Sequence, residues 1–240
     1  MTVSGGSHSR VCNTGGTSGA EPFLGVDVFR GIMPEMTISP HDLRKASAVI
    51  AKGGVIAFPT ETFYGLGVNP FDRQALARVF ALKGRSTVDP LLVLIEARSD
   101  VRRLASEVTS TAERLMEAYW PGPLTLIFRA LPSLPPELTA GTGTIGVRLS
   151  SHPDLPRLLE AAGGALTGTS ANRTGEAPAS TADEVRRILG SEVELVLDGG
   201  RTAGAPPSTV LDTTTTPPRL VREGRVSKAS LLAIIGSLAA

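Results

Sequence analysis

Short apolar runs alternate along the chain with segments of helical spacing. VIAF (55–58), LLVLI (91–95), LTLIF (124–128), TIGVRL (144–149), ALTGTS (165–170), VELVLD (193–198), STVLD (208–212) and RLVRE (219–223) have the length and β-branched content of buried strands. Residues 73–83, 110–120, 154–162, 181–189 and 227–236 carry apolar positions three and four apart, which predicts helices. A further helix opens at Ser39, a residue able to cap it, with Pro40 at its first position and Asp42 in its first turn. Leu43, Ala46 and Ile50 share one face of that helix, and Gly53-Gly54 end it. Strands and helices in alternation predict an α/β domain built on a central sheet. The last two strands follow each other through Thr213–Thr216 and Pro217-Pro218 with no helix between, which predicts antiparallel pairing and so a mixed sheet.

Composition narrows the picture. At about 150 residues per domain, 240 residues allow one large domain or two small ones, and no internal repeat or second boundary is visible. Residues 1–38 read as a flexible tail and arm, rich in Ser, Gly and Thr at the start, with the ordered domain at 39–240. A net charge of +1 argues against holding nucleic acid by bulk charge. The single cysteine, Cys12, excludes a disulfide framework, and His8, His41 and His152 lack metal-ligand spacing. No apolar run reaches the roughly 20 residues of a membrane helix, and the first twenty residues lack a secretory pattern. The expected compartment is the cytoplasm.

Five polar clusters fall at the ends of predicted strands or helices, where open α/β sheets hold ligands. Pro59–Gly67 (PTETFYGLG) runs from a buried strand into a Gly-punctuated turn that offers hydroxyls, a carboxylate and a phenol. Lys83-Gly84-Arg85 closes a helix; the two cations suit phosphate, although cations stabilise any helix C-terminus. In Thr142–Arg148 (TGTIGVR), Arg148 is in phase with Gly146 and Thr144, and an Arg in an apolar strand needs a carboxylate or phosphate partner. A structural acidic residue would serve it equally well. Thr167–Asn172 (TGTSAN) supplies neutral donors and acceptors that fit an adenine edge, a ribose, an amino acid or a plain turn. Pro207–Val210 (PSTV) precedes Val221–Gly224 (VREG) on the next strand. Neither GxxxxGK[ST] nor GxGxxG occurs.

In this order PTETFYGLG, Lys83 and Arg85, WPGPLTL (120–126), TIGVR, TSAN, and PSTV followed by RxG resemble the YrdC-type threonylcarbamoyl-AMP synthases of tRNA threonylcarbamoyladenosine synthesis, in their short form. The resemblance covers residues 40–236. It implies a twisted open sheet with flanking helices and a concave basic cavity. It implies a nucleotidyltransferase that makes L-threonylcarbamoyladenylate and pyrophosphate from L-threonine, bicarbonate and ATP, assisted by Mg²⁺. The implied threonine contacts are Thr62, Arg148, Ser170 and Ser208. The implied nucleotide contacts are Lys83, Arg85, Asp89, Thr144, Asn172, Ser180 and Arg222, with Lys83 and Arg85 stabilising charge that develops toward the leaving pyrophosphate. A downstream tRNA threonylcarbamoyltransferase is the implied recipient, and neither a stable nucleic-acid complex nor a membrane is expected. A carbamoyl-adenylate-forming relative with another substrate, or an RNA-binding module without turnover, are the alternatives.

The chemistry suits such a site. A carbamate oxygen is already anionic, so its attack on the α-phosphorus calls for in-line positioning and charge cancellation rather than a His or Cys. Two positions depart from the family pattern. Asp89 stands for an Asn expected near ATP, and Leu94 stands where many members have a His that reaches the threonine.

Overall fold

The computed structural model describes residues 37–84, 90–204 and 206–239, all within the compact unit Ile32–Ala240. The first helix, α1 (Pro40–Ala51), forms as its sequence predicts: the Ser39 hydroxyl accepts the Asp42 N–H at 3.1 Å, and Leu43, Ala46 and Ile50 are buried. Just before it, the Thr37 and Ile38 amides and the Thr37 hydroxyl all donate to the buried Asp154 carboxylate. Of the predicted tail and arm, these two residues alone are described.

The strands divide between two mixed sheets rather than one. β1 (Ile56–Pro59) pairs antiparallel with β2 (Tyr64–Gly67) and parallel with β8 (Leu195–Val196), and β7 (Thr169–Ser170) completes the order β7-β2-β1-β8. The second sheet joins β3 (Leu92–Ile95), β4 (Leu124–Arg129), β5 (Thr144–Arg148), β6 (Ala165–Thr167), β9 (Thr209–Asp212) and β10 (Arg219–Arg222) in the order β10-β9-β4-β5-β3-β6. The predicted β9–β10 antiparallel pair is present.

Three sequence expectations change. YGLG is a buried strand, not a turn; the turn is Thr60–Phe63. ALTGTS is two strands, because the chain crosses between the sheets at Gly168. There Thr167 still pairs with Val93 of the larger sheet, whereas Thr169 pairs with Leu66 of the smaller. Gly168 has no room for a side chain, since a Cβ would lie 2.8 Å from Leu94. Of VELVLD, only Leu195–Val196 is a strand. The chain also has three elements the periodicity does not announce, 3-10 turns at Arg98–Arg103 and Gly190–Glu192 and the short helix α4 (Pro136–Thr139).

The helices α2 (Arg73–Lys83), α3 (Ser110–Tyr119), α5 (Leu155–Ala161), α6 (Ala182–Leu189) and α7 (Lys228–Ile235) fall where the apolar spacing predicts. Alternation along the six-stranded sheet then decides where a site lies. Val93 and Ile95, Leu124, Leu126 and Phe128, Ile145 and Val147, and Leu211 point into the main core. Burying each such side chain contributes about 1.5–3 kcal/mol. The intervening residues point to the other face. Among the described residues no helix is long and apolar enough to cross a membrane.

Candidate active site

That other face is the floor of a cavity of about 690 Å³, a size suited to a small-molecule ligand. Leu92 and Leu94, Thr125 and Ile127, Thr144, Gly146 and Arg148, and Val210 line it at period two, and Thr62, Tyr64, Thr169, Ser170 and Asn172 close it from the smaller sheet and its turns. Ser208 and Arg222 complete one end. Seven residues singled out from the sequence therefore meet around one space: Thr62, Thr144, Arg148, Ser170, Asn172, Ser208 and Arg222.

The Thr60–Phe63 turn presents Thr62. The Thr60 hydroxyl donates to the Phe63 carbonyl at 2.7 Å and accepts the Thr62 and Phe63 amides. The Thr60 and Thr62 hydroxyls lie 3.1 Å apart. Thr62 is left with acceptor capacity, which suits a ligand N–H.

Arg148, at the end of β5, is 4% exposed and lies 2.6 Å from the Glu61 carboxylate (Nη2 to Oε1). Nε and Nη2 are buried and have no hydrogen-bond partner beyond this close ion pair. Ser150 donates to the other Glu61 oxygen. Burial opposes ionisation of Glu61, but the charge and proximity of Arg148, then the Ser150 hydroxyl, outweigh it and hold the carboxyl below its usual range. Arg222 donates to the Ser208 carbonyl at 2.9 Å, and the Ser208 and Thr125 hydroxyls are 3.2 Å apart. Partial burial, and next the charge of Arg148, lower the Arg222 pKa. Two guanidiniums thus face one end of the cavity, where an anion would relieve their repulsion.

Lys83 lies behind the wall rather than in it. Its ammonium donates to the Ser170 carbonyl at 2.6 Å, the Asn172 carbonyl at 3.0 Å and the Asn172 side-chain oxygen at 2.9 Å. The Thr174 amide caps the Lys83 carbonyl, so the end of α2 and the Ser170–Asn172 turn are one locked unit. Ser180 also lies outside the cavity wall; its amide donates to Glu184 and its carbonyl accepts the Thr202 amide. Arg85 and Asp89 fall outside the described residues. Leu94 is fully buried, on the floor beside Gly168.

Thr125 and Glu61 carry no assigned role in the sequence reading. A lone hydroxyl in an apolar strand, in phase with the cavity face, is the signal for Thr125. For Glu61 it is the need of a buried Arg148 for a carboxylate, which the sequence leaves without an address.

A mixed α/β fold with a ligand-sized cavity over one sheet face, set with hydroxyls and two guanidiniums, defines a protein built to hold a small anionic molecule. The chain belongs to the Sua5/YciO/YrdC family, whose model, described as telomere recombination, matches residues 48–224. It is 36% identical over 201 residues to the threonylcarbamoyl-AMP synthase of Pyrococcus abyssi, covering 84% of this chain and 59% of that protein. It is 39% identical over 168 residues to the synthase of Thiobacillus denitrificans, covering 70% and 89%. The crystal structure of P. abyssi Sua5 complexed with L-threonine superimposes with a TM-score of 0.79 at 36% identity, over 82% of this chain and 58% of that one. The chain therefore spans about three fifths of the length of the archaeal relative.

Proposed function

We propose that the chain is a threonylcarbamoyl-AMP synthase. The observation that carries this reading is the convergence of seven motif residues on one cavity, in a chain whose relatives bear that name. In the proposed reaction the amine of L-threonine adds to CO₂ derived from bicarbonate and loses a proton. The resulting carbamate oxygen attacks the α-phosphorus of ATP, and pyrophosphate leaves with the bonding electrons of the broken P–O bond.

In this reading Arg148 and Ser208 take the threonine carboxylate and Thr62 accepts from its nitrogen, while Ser170 holds its side chain. Thr144, Asn172 and Arg222 face the nucleotide. Lys83 acts through the Ser170–Asn172 turn that it clamps, fixing the two side chains so that no reorganisation is required as charge moves to pyrophosphate. Arg85, Asp89 and Ser180 remain proposed nucleotide contacts by resemblance alone. The site offers hydroxyls, amides and cations, and no three His, Cys, Asp or Glu side chains come together among the described residues. That donor set fits Mg²⁺ carried in on the phosphates rather than held in a protein cage. When bound, the metal would supply charge neutralisation at the leaving group. The product would pass to a tRNA threonylcarbamoyltransferase.

Pyrophosphate release tests the reading. Release from ATP and Mg²⁺ that requires both L-threonine and bicarbonate supports it; release with a different amino acid, or none at all, contradicts it.

A further inference from the structure

Resting on that reading, we propose that Glu61 is a positioning residue that aims the Arg148 guanidinium at the amino-acid carboxylate from behind the cavity wall. Glu61 is not among the residues that line the cavity. Among the described residues its carboxylate is nonetheless the only polar partner of Arg148. An arginine on a strand has four rotatable side-chain bonds, so a single fixed contact decides where its fork points.

Glu61 is itself immobilised from three directions. It sits in the Thr60–Phe63 turn, which the Thr60 hydroxyl closes. One carboxylate oxygen meets Arg148 and the other accepts from Ser150. The Ser150 hydroxyl in turn accepts the His152 amide at 3.3 Å. The chain of contacts therefore runs from a backbone amide to the cavity floor with no free joint. Apart from the ion pair, Arg148 Nε and Nη2 have no hydrogen-bond partner, so Glu61 is what fixes that edge of the guanidinium. Those two nitrogens are fully buried, so Glu61 holds the back edge of the guanidinium and leaves the rest of the group to line the cavity.

Charge supports the same assignment. Arg148 and Arg222 line the cavity with one carboxylate behind Arg148, so the site keeps a positive charge that favours an anion. The threonine carboxylate does not react, so interactions with it are equal in the ground and transition states. Loss of aim must then appear in amino-acid affinity rather than in the rate of the bound complex.

The test compares wild type, Glu61→Gln and Ser150→Ala. The measurements are the L-threonine Kd by calorimetry, the threonine and ATP KM values and kcat by pyrophosphate release, and thermal melting. Glu61→Gln should weaken threonine binding at least about tenfold, with the ATP KM within about twofold and kcat at saturating threonine largely kept. Ser150→Ala should shift threonine affinity the same way by less, and it keeps the test open should Glu61→Gln fail to fold. A lower melting temperature with unchanged threonine affinity would make the pair merely structural and overturn the proposal. Tighter threonine binding would overturn it too, because Glu61 would then be a competitor for Arg148 rather than its guide. A wild-type chain that neither binds nor uses threonine would instead overturn the proposed function, and this inference with it.

Discussion

Arg148 and Glu61 show how one buried pair ties stability to the site. Removing one partner strands the other charge, which costs about 3–5 kcal/mol, whereas neutralising both in matched shapes costs far less. Arg148→Met should therefore destabilise strongly. Adding Glu61→Gln should recover part of the loss, and a double-mutant cycle from urea titrations reads the coupling. Additive effects would show that the two charges do not interact. His152, buried next along the same network, makes a second prediction. Its Nδ1 accepts the Asp154 amide at 3.3 Å, as a neutral ring does. Burial holds its pKa below the ordinary value, against the opposing pull of Asp154 and Glu61. The unfolded chain thus takes up a proton first, so stability falls as pH drops below about 6.5 toward the folded-state value. The depressed Glu61 pKa has its effect lower, with stability lost as pH falls below about 4.3 through its folded value. Melting temperature against pH should show both declines, and His152→Asn, which keeps an acceptor for the Asp154 amide, should flatten only the upper one. An unchanged upper slope would remove His152 as its source.

At the scale of elements, one hydroxyl gathers three backbone groups on the connection from β9 through β10 to α7. Thr209 Oγ1 donates to the Val226 carbonyl at 2.6 Å and accepts the Gly224 and Val226 amides at 2.9 and 3.0 Å. Thr209→Val keeps the shape and strands these backbone groups, so it should cost about 1–3 kcal/mol in urea unfolding. A neutral result would mean the backbone finds other partners. Gly224 leaves no space at all, since a Cβ would lie 2.2 Å from the Pro207 carbonyl oxygen. Gly224→Ala should displace Ser208 and Arg222 together and weaken ligand binding at that end. Helices and most strands were legible in the sequence because their apolar residues repeat with the element's own period. YGLG was not, because two glycines in four residues read as a turn when a partner strand and full burial are hidden. ALTGTS was misread for a related reason: Gly168 lets one apolar run serve two sheets, and local periodicity carries no record of which strand each half will meet.

At the scale of the whole molecule, the cavity was half legible. Arg148, Gly146 and Thr144 share a face by strand periodicity alone, whereas Ser170, Asn172, Ser208 and Arg222 were gathered to one site only by the family resemblance, and the structure places them around the same space. Lys83 was legible as a cation at a helix end, but not as the clamp of the Ser170–Asn172 turn, because that turn lies nearly 90 residues away in sequence. In the proposed reaction this one cavity joins an amino acid, a carbon from bicarbonate and an adenylate. The most direct measurement is to incubate the protein with ATP, Mg²⁺, L-threonine and ¹³C-bicarbonate and identify the nucleotide product by mass spectrometry. The expected product is one adenylate that carries both the threonine skeleton and the ¹³C label. An adenylate without the label, or labelled without threonine, would contradict it.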